Sequence, residues 1–288
     1  MPIPRPEVDT SVPTRRNAHW GSRILKALCW LSGFITIGAL VLIVVYICVN
    51  GIPHLKLSMF EVKYTSKNVS MLHAIINTLS MTALALLFSV PVGVFGGIYL
   101  AEYAKPGSKL VKIIRVTAET LAGIPSIVYA LFGMLAFVVT LKMGISLLSG
   151  ALTLAIMTLP LILRQTEESL LSVPMSYREG SYGLGAGKLR TTMRIVLPVA
   201  MPGILAAVLL SIGRISGETA ALIYTAGTAT RIAGLMQSGR TLSVHLYQLQ
   251  QEGRYINEAF SVAVILLIIV VLMNALSAWI ASKLTKKG

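Results

Sequence analysis

Long apolar runs alternate along the chain with short polar stretches, and the runs are long enough to matter. A helix needs roughly 20 predominantly apolar residues to cross the hydrocarbon layer of a bilayer. Runs near or above that length fall at residues 27–49, 74–100, 120–141, 145–163, 195–226 and 259–281. The pattern predicts an all-α polytopic membrane protein with about six transmembrane helices. Prolines mark where those helices should depart from regularity. Pro125 removes a backbone donor and crowds the preceding turn, so the third run is expected to bend or break there. Pro91, with Gly93, Gly96 and Gly97, predicts a kink and a flat surface for close helix contact in the second run. Pro198 and Pro202 place a helix start at the head of the fifth.

The stretches between the runs set the organisation. Residues 1–26 are proline-rich and polar and read as a cytoplasmic arm with no packed core. They lack the short apolar stretch and small-residue cleavage site of a secretory signal, so the first run is expected to be a retained helix. Residues 27–71 then form that helix and an outer loop. Residues 72–283 form a core with a basic loop at 164–197, and 284–288 a short tail.

Composition agrees with a membrane setting. Of the 288 residues, 55% are hydrophobic and only 12% charged, against about 25% charged in a typical soluble domain. The net charge of +14 raises the question of nucleic acid, and its distribution answers it. Lys and Arg gather in the arm (Arg5, Arg15, Arg16, Arg23, Lys26), the second loop (Lys105, Lys109, Lys112, Arg115), the 164–197 loop (Arg164, Arg178, Lys188, Arg190, Arg194) and the tail. The intervening loops are poorer in them. By the positive-inside rule both termini and the 164–197 loop are cytoplasmic, and the charge faces anionic lipid headgroups. A nucleic-acid partner is not expected, because no folded basic domain exists to bind one. Cys29 and Cys48 lie nineteen residues apart in one run, near opposite ends of a helix rising 1.5 Å per residue, and cannot bridge. His19, His54, His73 and His245 have no metal-ligand spacing and receive no role.

The most specific stretch is EGSYGLGAGKLRTTMRIVLP, Glu179 to Pro198. Glu179, the small pair Gly180 and Ser181, Gly185, and then Ile195, Leu197 and Pro198 stand at the offsets of E-A-A-x3-G-x9-I-x-L-P. That pattern is the cytoplasmic loop of ABC importer permeases, which this stretch resembles, with Gly and Ser in place of two alanines. Small side chains let a short helix lie close against another protein, and Gly185 is free to adopt the positive φ that ends a helix. Two further motifs, GIPSIVYALFG (residues 123–133) and RISGETAAL (residues 214–222), are similar to signatures of the phosphate permeases of this family, A-type subunit. The resemblance runs from about His73 to the C-terminus. It implies a MetI-like helical permease core in a bacterial inner membrane. Its implied partners are a C-type permease subunit completing the pore, two ATP-hydrolysing subunits docked on the 179–198 loop, and an external binding protein delivering inorganic phosphate. It implies no cofactor and no catalysis by this chain. Glu179 is the expected polar contact to the ATPase.

Charges inside the apolar runs are expensive and usually face a bundle interior or aqueous cavity. Arg214 lies sixteen residues past Pro198, roughly 24 Å along a helix. Glu218 follows at i+4, a spacing that permits a salt bridge on one helix face. The pair reads either as a structural ion pair or as part of an anion path, where an arginine fork suits a phosphate oxyanion. Arg115 and Glu119 repeat the spacing nearer the headgroups, where a structural role is favoured. GLGAGK, residues 183–188, is not a P-loop: Tyr182 and Leu189 occupy positions that require Gly and Ser or Thr. Three other classes stay open on the sequence: a permease for molybdate or sulfate, a secondary transporter without an ATPase, and a membrane assembly component.

Overall fold

The computed structural model describes residues 19–105 and 107–285. Most of the expected N-terminal arm, with Arg5, Arg15 and Arg16, lies outside them, as do Lys286 and Lys287 of the tail. The chain divides into two compact units, Met1–Ile47 and Cys48–Gly288. The described part of the first is a stretch of α1 (His19–Gly51), apolar on every side.

Helices are the regular elements among the described residues of the second unit. Its elements are α2 (Leu72–Ile98, extended by a π turn at Tyr99–Tyr103), α3 (Lys109–Ala122), α4 (Ser126–Gly133, extended to Thr140), α5 (Leu147–Leu171), α6 (Met175–Gly183) and α7 (Lys188–Thr191). A π turn, Thr192–Val196, joins α7 to α8 (Leu197–Gly217); α9 (Ala220–Thr225), α10 (Leu242–Glu252) and α11 (Ile256–Thr285) follow. Five helices, α1 included, are long and apolar enough to cross a membrane, and α3 with α4 makes a sixth candidate bent by 105°.

α5 is the hub. It packs along α2 and α8 and touches α3, α4 and α9, so its residues are buried on more than one side: Leu147, Leu154, Met157, Ile162 and Leu170 are all inaccessible. Lipid gives apolar helices no hydrophobic reason to associate, so close approach of backbones must supply the attraction. α2 meets this with glycine. A Cβ on Gly97 would stand 2.7 Å from the Thr166 side chain, and one on Gly93 2.8 Å from Ile162. The flat face expected around Pro91 is the face that seats α5.

Pro125 breaks the third apolar run as expected. An α-helix through this point would require Pro125 to donate to the Leu121 carbonyl, which a proline cannot do. That carbonyl instead accepts from Ile124 N–H at 3.1 Å and from the Tyr129 hydroxyl at 2.8 Å, the latter reaching across the break.

Three expectations need correction. The run 195–226 is not one helix: α8 ends at Gly217, Glu218 is extended with ψ 130°, and α9 is a separate short helix. The break has a tertiary cause, since Ser243 donates to the Glu218 carbonyl at 2.7 Å and the Glu218 carboxylate accepts from Ala221 N–H at 3.2 Å, capping α9. Pro198 stands in the first turn of α8, as expected, but the span as a whole does not open there. The apolar rod begins at Lys188, and the π turn directly before Pro198 accommodates the donor the proline lacks. The fourth helix continues past residue 163 to Leu171, carrying Arg164, Glu167 and Glu168 on its last turns.

Between α9 and α10 the chain returns to the start of α2. Asn77 clamps it there, donating to the Arg231 and Arg240 carbonyls at 2.9 and 3.1 Å and accepting from Ala233 N–H at 3.0 Å. Thr78 Oγ1 accepts from Leu242 N–H at 2.8 Å, fixing the first turn of α10. His73 and His245, given no role from sequence, meet beside this clamp. Their rings lie 5.6 Å apart, edge to face, with the Arg240 guanidinium 4.8 Å from the Tyr64 ring centroid.

Candidate coupling site and anion path

The Glu179–Pro198 stretch folds as a compact knob. Pro174 starts α6 with fixed backbone geometry, and Gly185, at φ +81°, turns the chain out of it. Glu179 and Gly180 stand exposed on α6, with the exposed side chains of Met175, Tyr177, Tyr182 and Leu184 around them. Ser181 faces inward, and its hydroxyl lies 2.8 Å from that of Thr191 on α7. Leu197 packs on the cluster of Ile98, Leu170, Val173 and Val196, while Ile195 and Pro198 are half-buried. The inward half of the stretch therefore anchors the knob, and the outward half exposes Tyr182, Leu184 and the Glu179 carboxylate together with the basic Lys188, Arg190 and Arg194.

The two i,i+4 pairs expected from sequence do not form. Arg115 turns from Glu119 and donates through Nε to Glu167 on α5 at 2.7 Å. Glu119 instead accepts from Arg164 at 3.2 Å, and Arg164 also donates to Glu168 at 2.8 Å. The acids and bases interleave because α3 lies against the last turns of α5, bringing opposite charges from two helices closer than one turn of the same helix does. They line a cleft of about 230 Å³. Arg164 reads in the sequence only as one of the loop's basic residues, and a pairing across about fifty residues leaves no local signature.

Arg214 and Glu218 are separated by the end of α8. With Glu218 committed to the cap of α9, Arg214 makes no hydrogen bond or ion pair among the described residues. It lines a cavity of about 680 Å³ with Leu161 of α5, Leu210 and Gly213 of α8 and Asn274 of α11. Asn274 Oδ1 is buried there without a partner. A cation on an apolar wall with no counter-charge favours an anion in that space.

A bundle of apolar helices around α5, interrupted by a short exposed helix on its own turn, defines a helical transporter subunit. The chain belongs to the binding-protein-dependent transport system inner membrane component family, whose model matches residues 93–287. This is the broader family expected from the loop motif. It is 31% identical over 262 residues to the probable ABC transporter permease protein YqgI of Bacillus subtilis (strain 168), covering 84% of this chain and 88% of that protein. It is 37% identical over 217 residues to the phosphate transport system permease protein PstA of Pasteurella multocida (strain Pm70), covering 73% and 77%. The backbone matches a chain of a bacterial ABC transporter involved in the import of the acidic polysaccharide alginate with a TM-score of 0.60 at 16% identity, over 91% of this chain and 99% of that one. That likeness concerns the fold alone.

Proposed function

We propose that the chain is one permease subunit of an ATP-driven importer of inorganic phosphate, lining half of the translocation pathway in a bacterial cell membrane with both termini cytoplasmic. A second, C-type permease subunit completes the path, two ATPase subunits supply the force, and an external binding protein delivers phosphate. The observation that carries this reading is the unpaired Arg214 facing a cavity among apolar helices. A phosphate oxyanion crossing that region gains a planar donor, and the absence of a fixed carboxylate beside it leaves the fork open to receive the ion. The Pasteurella relative's phosphate transport supports the choice of substrate. Force enters through the exposed face of α6, with Glu179 as its polar contact and Gly185 as the turn that shapes it. ATP hydrolysis then belongs to the partner, and this chain's part is to exist in two arrangements biased by the partner's nucleotide.

The test is uptake of labelled phosphate by the complex reconstituted in liposomes, with and without ATP and with sulfate as competitor. Uptake that requires ATP, resists sulfate and is lost in Arg214→Ala at normal assembly supports the reading. Uptake without ATP, or transport untouched by Arg214→Ala, overturns it.

A further inference from the structure

Among the described residues, four ion pairs form, and in only one are both side chains buried: Arg178 on α6 with Glu102 in the π turn that ends α2. Arg178 Nη2 donates to Glu102 Oε1 at 2.6 Å and Nε to the same oxygen at 3.2 Å. The same guanidinium also donates to the Leu170 carbonyl in the last turn of α5 at 2.9 Å and to the Val173 carbonyl just beyond it at 2.8 Å. One planar group thus ties three elements: its own α6, the end of α2 and the end of α5.

Stability is a poor account of this arrangement. Taking two charges out of water is costly, and well-packed apolar side chains of similar volume usually hold a core as firmly. A buried guanidinium with its fork filled does something apolar contact does not, because it fixes direction as well as proximity. The side of α6 opposite Arg178 and Ser181 is the exposed one, bearing Glu179, Gly180 and Gly183, with the exposed Tyr182 on its flank. A push on that face therefore falls on the Arg178 fork. The two helix ends it grips belong to α2 and α5, which interlock through Gly93 and Gly97. α5 in turn contributes Leu161 to the cavity holding Arg214.

We infer that the Arg178–Glu102 pair is the strut that carries displacement of α6 into the α2–α5 pair, making Arg178 and Glu102 positioning residues for transport. The inference rests on α6 being the surface that meets the ATPase. Losing the strut lets α6 move without its helices, so ATP is spent with less phosphate moved.

The experiment uses the reconstituted complex with two forms of the permease: the double variant Arg178→Met with Glu102→Leu, which keeps the space filled without charge, and the single variant Glu102→Gln. For each, co-purification with the ATPase, ATP hydrolysis and phosphate uptake are measured together. The expected result is normal co-purification and hydrolysis with phosphate moved per ATP reduced about tenfold in the double variant, within the usual range of coupling between sites, and less in Glu102→Gln. A merely structural pair would leave that ratio unchanged. An unchanged ratio in whichever variant assembles overturns the inference, and failure of both to assemble assigns the pair to folding and overturns it too. A cysteine cross-linker attached through Tyr182→Cys separates the two claims. If it captures the ATPase while the ratio stays normal, only the strut fails; if it captures nothing in an active complex, the docking of α6 fails.

Discussion

Arg115 bonds Glu167 on a neighbouring helix, at 2.7 Å, in preference to Glu119 one turn along its own. Glu167 is nearly buried and Arg115 half-exposed, so removing Glu167 loses the clip between α3 and α5 without stranding a fully buried cation. Glu167→Ala should cost about 1–2 kcal/mol, below the range for a fully buried pair. Glu168→Ala, whose pair with Arg164 is exposed on both sides, should cost no more than about 0.5 kcal/mol. Thermal unfolding of the detergent-solubilised protein measures both, and equal losses would count against the clip.

The separation of Arg214 from Glu218 is also measurable. A double-mutant cycle with Arg214→Ala and Glu218→Ala should give a coupling energy within about 0.5 kcal/mol of zero, as for independent sites. Glu218→Ala alone should lower stability by about 1 kcal/mol through loss of the α9 cap. A coupling well above that limit would restore the ion pair suggested by the i,i+4 spacing.

What the sequence revealed here follows from the range of the interactions involved. Apolar runs, the break at Pro125 and the short helix closed by Gly185 all express local rules, and each is legible from a few neighbouring residues. The break at Glu218 carries no proline and lies inside an apolar run; it depends on Ser243, far along the chain. α10 is short and polar enough to read as loop, although Thr78 holds its start and Asn77 the segment before it. Arg178 looked like one more cytoplasmic positive charge, because its partner Glu102 is 76 residues away and nothing nearby marks it as buried.

His245 should make the fold acid-sensitive. It is wholly buried, and Val69's backbone lies near its ring without reaching hydrogen-bond geometry. Burial first, then Arg240 and then His73, push it down to about 2 from an ordinary value near 6.5. In the fold it stays neutral where the unfolded chain takes up a proton. Its contribution is therefore complete above about pH 6.5 and falls as acid is added, by at most about 1.4 kcal/mol per pH unit. Arg240, Tyr64 and His73 face it, and the first and last of these oppose the incoming charge. His245→Phe should flatten the acid limb of a stability-versus-pH curve and leave neutral-pH stability equal or higher, since two unsatisfied ring nitrogens are removed. An unchanged acid limb would show that His245 does not titrate with folding.

Gly185 offers the sharpest test of the knob, because space and backbone conformation can be separated there. A Cβ at Gly185 would meet nothing within 4 Å, yet its φ is +81°; at Gly183 the space is equally open and φ is not positive. Gly185→Ala should therefore strain the turn that closes α6 by about 1–2 kcal/mol, while Gly183→Ala should be neutral or slightly stabilising to the helix. If the end of α6 must keep its shape to seat on the ATPase, Gly185→Ala weakens co-purification of the two and lowers ATP-dependent phosphate uptake, and Gly183→Ala changes neither. Equal effects of the two variants would mean that the surface, rather than the turn, is what the ATPase reads. No effect from either would remove the turn at Gly185 from the coupling mechanism.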